Sequence, residues 1–174
     1  MGFTNYKKAQ SRERLVQFIK LGDMEDFALF GYGVEDTSKD YEAKEEELQY
    51  VTQRTPFTET TAYKVSQGVS QKVYLDDPFF LVVDRLRREQ AVGDKASGIL
   101  IDLNYYLHEE DYPENVEADQ TEISITFTNF GGPAGEVLGI EYTINYNSKP
   151  KLGMAAVDYG TMKVTFTETP AVEG

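Results

Sequence analysis

From Thr121 to Tyr146 the chain reads TEISITFTNFGGPAGEVLGIEYTINY, with apolar and polar residues alternating on both sides of a Gly-Gly-Pro. A period of two marks strands with one buried face, so the stretch predicts a long hairpin. On its first limb Ile123, Ile125 and Phe127 share one side, and Glu122, Ser124, Thr126 and Thr128 the other. On its second limb Ile140, Tyr142 and Ile144 face inward, with Glu141, Thr143 and Asn145 opposite. Tyr142 and Tyr146 read as core aromatics rather than as a ligand platform.

The pattern elsewhere predicts fewer elements with less definition. RLVQFIKLG (residues 14–22) reads as a strand, as does DFALFGYGVED (26–36), whose Gly31 and Gly33 suit a bulge or a close backbone contact. TSKDYEAKEEE (37–47) has no apolar period and reads as an extended acidic loop, followed by a strand LQYVTQ (48–53). TETTAYKVSQGVSQKVYL (58–75) alternates with a break at Gly68. Residues 76–93, DDPFFLVVDRLRREQAVG, predict a helix with Asp77 as N-cap, Pro78 at the first helical position and Gly93 at its end. Phe79, Val82, Val83, Leu86 and Gln90 trace its inner face, and Asp84 stands four residues before Arg88.

After the helix come a strand SGILIDLNYYL (97–107), an acidic loop (108–119), the hairpin, and a last strand within residues 158–169. In that strand Met162, Val164 and Phe166 oppose Lys163, Thr165 and Thr167. Residues 1–12 read as a flexible N-terminal arm and residues 170–174 as a frayed tail. The total is about seven strands and one helix. The expected fold is therefore mainly β, a β-sandwich or open barrel flanked by one α-helix, in a single domain spanning 1–174.

Composition narrows the function more by exclusion than by signal. Thirty acids against 17 bases give a net charge of −13, unsuited to gripping nucleic acid. There is no cysteine, which removes disulfides, thiolate metal sites and cysteine catalysis. No apolar run reaches 18 residues, so no membrane helix is predicted. The N-terminus lacks a signal-peptide core, which predicts a protein made in the cytoplasm. The single histidine, His108, stands in His-Glu-Glu-Asp, where consecutive side chains diverge instead of converging on a metal. No nucleophile elbow, P-loop or dinucleotide fingerprint occurs, so neither enzyme activity nor a cofactor is expected. Arg85, Arg87 and Arg88 fit a solvated helix end or a salt-bridged contact better than a phosphate site.

One feature survives. Between Lys95 and Lys149 there is no lysine or arginine, although ten acids fall inside that span. The polar side of the hairpin is thus short, hydroxylic and acidic, whereas solvated sheets usually interleave lysine and glutamate.

In sequence order, DYEAKEEE, LQYVTQ, the Thr- and Tyr-rich TETTAYKVSQGVSQKVY, the helix DDPFFLVVDRLRRE and the Gly-rich hairpin resemble the major tail, or tail tube, proteins of long-tailed phages and prophages of Gram-positive hosts. The resemblance spans residues 14–169 and is most specific over Tyr63 to Glu89. It implies hexameric rings stacked into a hollow tube, with the inner sheets of six subunits joined around the lumen. It implies a lumen lined by Glu122, Ser124, Thr126, Thr128, Glu141, Thr143 and Asn145, past which DNA slides without specific binding. It further implies inter-subunit contacts through Asp40, Glu42, Glu45, Glu46, Arg85, Arg87 and Arg88. Its partners would be further copies of itself, a tape-measure protein, a tail terminator and distal tail proteins, in a virion tail. The inner tube of a contractile tail or of a phage tail-like bacteriocin is an alternative setting. A β-sandwich glycan-binding module is an alternative of another class, and the absence of tryptophan counts against it.

Overall fold

The strand pattern closes into a barrel-like sheet in the computed structural model, which describes residues 9–108 and 112–170. Among these residues there are nine strands and one α-helix: β1 (Leu15–Leu21), β2 (Ala28–Phe30), β3 (Lys39–Leu48), β4 (Phe57–Lys72), α1 (Pro78–Arg88), β5 (Ser97–Asn104), β6 (Asn115–Gly131), β7 (Gly139–Tyr146), β8 (Lys151–Asp158) and β9 (Lys163–Glu168). All pairings are antiparallel, in the order β2-β1-β5-β6-β7-β4-β3. The hairpin β8–β9 branches off the first half of β6. The two flanks of the sheet meet. Val34 bridges to Gln71, Lys72 N donates to Gly33 O at 2.9 Å, and the Gln17 amide of β1 donates to Gln67 Oε1 of β4 at 3.1 Å. Gly33 is required there: its φ is +78°, and a Cβ would lie 2.7 Å from Lys72 O.

Two apolar clusters share β1 and β5. Inside the curl Ile19, Leu21, Leu100, Ile123, Ile140 and Ile144 are buried, and Phe79, Phe80, Val83 and Leu86 of α1 plug the cluster. On the opposite side of the same strands, Phe18, Ile101, Leu103 and Val116 pack beneath Ala155 and Val157 of β8. Being covered on both faces, β1 and β5 read as near-continuous apolar runs, which blurs their period.

The helix forms as its sequence dictates. Asp77 accepts from Phe79 N at 3.0 Å, and Pro78 follows where no N–H is needed. It ends at Arg88, earlier than Gly93. Gln90 takes a φ of +50°, Ala91 N donates to Leu86 O and Gln90 N to Arg87 O, the pairing that satisfies the last carbonyls of a helix. Gln90 therefore caps the end instead of lying on the buried face, and Gly93 opens a 3-10 turn.

Several further expectations are corrected. Residues 37–47 are not a loop: Lys39 to Leu48 is a ten-residue strand paired with β4. Its period is invisible because both faces of most of it meet solvent, so nothing selects for alternation. Of the strand expected at 48–53, Leu48 ends β3 and residues 49–53 belong to the turn joining β3 to β4, and β4 runs through Gly68 without a break. The acidic loop is shorter than expected, since Glu117 and Asp119 belong to β6; Glu109 to Asp111 lie outside the described residues. Strand β8 was unforeseen. Its small residues follow from close cover, as a Cβ on Gly153 would stand 2.2 Å from Thr167 O. Within the expected arm of residues 1–12, positions 1–8 lie outside the described residues, while Arg12 begins a 3-10 turn. Of the expected tail, 171–174 also lie outside them.

Candidate functional site: an open-edged sheet and its arm

The second half of β6, with β7, β4 and β3, forms a four-stranded sheet whose inner face covers the core. Strand β5 accompanies β6 only as far as Ser124, so residues 125–131 of β6 are paired on one side only. At the other flank β3 pairs with β4 alone. The sheet thus has two open edges. Unpaired strand edges present rows of N–H and C=O groups that another chain can complete.

The outer face gathers the hairpin residues singled out above. Ser124 stands opposite Asn145 and Thr126 opposite Thr143, and Asn145 Nδ2 donates to Thr126 Oγ1 at 3.0 Å. Glu122 and Glu141 are exposed. Thr128 departs from the simple period, because a bulge between Phe127 and Asn129 leaves it without an opposite residue and sets Asn129 across from Glu141. Pairing with β4 adds Ser66, Gly68 and Ser70 to the same face, opposite Asn145, Thr143 and Glu141. These were missed because they lie far away in sequence. Strand β4 also supplies the cations the hairpin lacks: Lys72 pairs with Glu35, and Lys64 stands across from Glu42. Lys72 holds the Glu35 carboxyl below the ordinary carboxylate range.

Of the predicted contact residues, the β3 acids lie on one open edge and Arg87 lies beside the other. Asp40, Glu42, Glu45 and Glu46 are exposed along β3. Arg87 stacks on the Phe130 ring at 3.7 Å, which sets the arginine end of α1 beside the open edge of β6. Asp84 takes Arg87 at 2.8 Å and Arg88 at 3.1 Å, and Arg85 is exposed. Among the described residues no ion pair joins these arginines to the β3 acids. Within one copy Arg87 and the β3 acids lie at different edges of the sheet, while Arg85 lines a cleft with Gly22, Asp23 and Lys95.

Beyond Val65, where β7 ends, β3 and β4 continue alone as a two-stranded arm over residues 41–64, exposed almost throughout. A buried polar seam holds its root. Gln17 Nε2 donates to Asp102 Oδ1 at 2.8 Å, Tyr146 Oη to Gln67 Oε1 at 2.7 Å, and Lys39 pairs with Asp102 below the Tyr146 ring. Burial pushes the Tyr146 hydroxyl up and, beside it, raises the Asp119 carboxyl above the usual range.

Among the described residues no group of three or more histidine, aspartate or glutamate side chains is placed to hold a metal ion. His108 pairs with Glu117, whose carboxyl is lowered first by its own backbone N–H and then by that histidine. No described helix is long and apolar enough to cross a membrane.

The same architecture occurs in solved tail assemblies. The chain superposes on a subunit from the tail of an empty GTA particle refined with C6 symmetry, with a TM-score of 0.56 and 13% identity, over 91% of this chain and 99% of that one. This is a tail-tube-like fold. A sheath/tube terminator of an extracellular contractile injection system (PVC) matches with a TM-score of 0.52 and 10% identity over 87% and 100% of the two chains. The tube terminating cap of the anti-feeding prophage matches at 0.51 and 12%, over 97% and 100%. No protein-family model matches the sequence, and no curated protein matches it in sequence.

Proposed function

We propose that the protein is the structural subunit of a tail tube, in a long-tailed phage or prophage of a Gram-positive host. The observation that carries this reading is one sheet with two open edges of opposite electrostatic character. Strand β3 of one copy adds to residues 125–131 of β6 in the next, so its acids approach Arg87 and the neighbouring Arg88 there, while Arg85 lies nearer the end of β1. Such a contact is head-to-tail, and when the rotation closes it gives a ring without free edges. We take the ring as sixfold, as the resemblance implies. The outer faces of six sheets then line a lumen of hydroxyls, amides and carboxylates. Lys64 and Lys72 stand on the same face, each matched by a glutamate. Polyanion binding needs unpaired cations that displace counterions, and this wall offers few, so DNA passes without being held. Stacked rings make the conduit, and a tape-measure protein, a terminator and distal tail proteins are its partners in the virion.

The test is the assembly state of the purified chain, by light scattering and negative-stain electron microscopy. Rings or hollow tubes are expected. A monomer at every concentration, even with tail-tip seeds added, overturns the reading. The terminator neighbours motivate a second reading, a cap that ends a tube. A cap gives single rings that never stack, so filament length separates the two.

A further inference from the structure

Strand β4 is held against the rest of the molecule at two points four residues apart. At Gln71 the hold is partly backbone: Val34 bridges to it, and its Nε2 donates to Tyr32 O and to Asp77 Oδ2, each at 2.9 Å. At Gln67 the hold is made by side chains. Gln67 Nε2 donates to Gln17 Oε1 at 3.0 Å and to Thr37 Oγ1 at 3.1 Å, and Thr37 Oγ1 donates to Gly68 O at 2.7 Å. Two residues beyond Thr37, Lys39 opens β3 with its ammonium on Asp102 of β5 and 5.1 Å from the Tyr146 ring centre. Among the described residues no ladder joins β3 or β4 to β1 or β5; the sheet reaches β5 from β4 only round the curl, through β7 and β6. At this end the direct tie across the curl is therefore a side-chain one.

Stability gives little reason for an ion pair here. A buried pair can be replaced by apolar side chains of like volume without net loss, because desolvation offsets the attraction. What apolar contact lacks is direction. Apolar burial follows area and tolerates sliding, whereas a charge-assisted hydrogen bond fixes distance and angle.

Direction matters at this edge because ring closure depends on an angle. A head-to-tail contact closes when each copy turns by a whole fraction of a circle, about 60° for six copies and about 51° for seven. Gln67 and Gln71 are separated by about 13 Å of strand, so a slip of ~2 Å at Gln67 swings β4 by roughly 9° about Gln71. A swing of that size about the ring axis is the difference between six copies and seven. We infer that Lys39, Asp102, Gln17 and Gln67 are positioning residues that hold the β3 edge at one angle, and so fix the number of copies at which the ring closes. This inference rests on the tube reading and adds to it what selects the ring size.

The test compares ring numbers in class averages from negative-stain electron microscopy, checked by native mass spectrometry. Wild type should give one ring number. Lys39→Met/Asp102→Asn removes both charges and keeps an acceptor for Gln17, so its monomer should melt within about 3 °C of wild type. Its assemblies should nevertheless spread over several ring numbers or open arcs, with the wild-type number falling below about half of the particles. Gln67→Met, which releases the second tie alone, should spread them likewise and decides the matter if the first variant does not fold. Lys39→Arg, which keeps the ion pair, should retain the single number. Variants that melt like wild type and keep its single ring number would refute the positioning role and leave the tube intact. Mixed ring numbers in wild type would equally refute it. So would folded variants that form no ring at all, because the seam would then belong to docking itself. Wild-type protein that forms neither rings nor tubes would refute both readings.

Discussion

The two halves of β4 belong to one strand and live in different environments. Residues 65–71 alternate, with Gln67, Val69 and Gln71 buried and Gly68 and Ser70 exposed, because β7 lies alongside and the core beneath. Residues 57–64 are exposed at every position and have β3 as their one neighbour. A two-stranded ribbon in water is marginally stable at best. This one is further weakened by Glu46 directly opposite Glu59, a like-charge pair of the kind that destabilises a ladder. Its support within the arm is the edge-on Tyr41–Tyr63 contact and the Glu42–Lys64 pairing. The body is stabilised by its own burial. The arm instead leaves its acids and aromatics in solvent.

Mutations should separate the halves. The largest effect is expected in the body: Leu100→Ala, at a fully buried core position, should cost about 3–4 kcal/mol in chemical denaturation. A loss below about 1 kcal/mol would mean the core is not packed as described. At the root, Lys39→Met leaves the Asp102 carboxylate, 2% exposed, without its cation and should cost about 3 kcal/mol. Retained stability would show that the arm is not tied to the barrel there.

A smaller effect is expected at Asp119. Burial raises this carboxyl, so the native state holds its proton at pH values where the unfolded chain has lost it. Stability from this group is then greatest in acid and falls as pH rises through the native pKa. Asp119→Asn should add about 1 kcal/mol at neutral pH, and the gain should fade below about pH 4 as wild-type Asp119 becomes protonated in both states. A pH-independent gain would point to packing instead. The smallest change in stability should come from the arm. Replacing residues 43–61 with a short turn should shift monomer stability by less than about 1 kcal/mol, yet abolish polymerisation seen by light scattering. Thr126→Lys should be equally silent in the melt, while assembled tubes gain salt-sensitive retention of DNA. A filter-binding assay that finds none would argue against this face as the lumen.

Legibility in the sequence followed burial. The hairpin of β6 and β7 and the capped helix α1 were readable because each has one dry face, and a dry face forces a period. Strands β1 and β5 blurred because both faces are dry, β3 disappeared because its faces are wet, and β8 was hidden by the small residues that let β9 lie close. Of the candidate site, six of the seven hairpin positions follow the alternation. The bulge at Thr128 could not be read from it, nor could Ser66, Ser70 and the two lysines, which reach that face through long-range pairing.

Local patterning alone thus determined a mainly β chain, one helix with its cap, and a hairpin whose polar side lacks basic residues. Which edges stay open, that the charged segment at 39–48 is a strand at one of them, and that Arg87 stands beside the other were decided by tertiary structure. The reason is physical. A side chain's face is set by its nearest chain neighbours, but the partner of an edge is set by how the whole sheet curls, and the sequence records that only in contacts between distant residues.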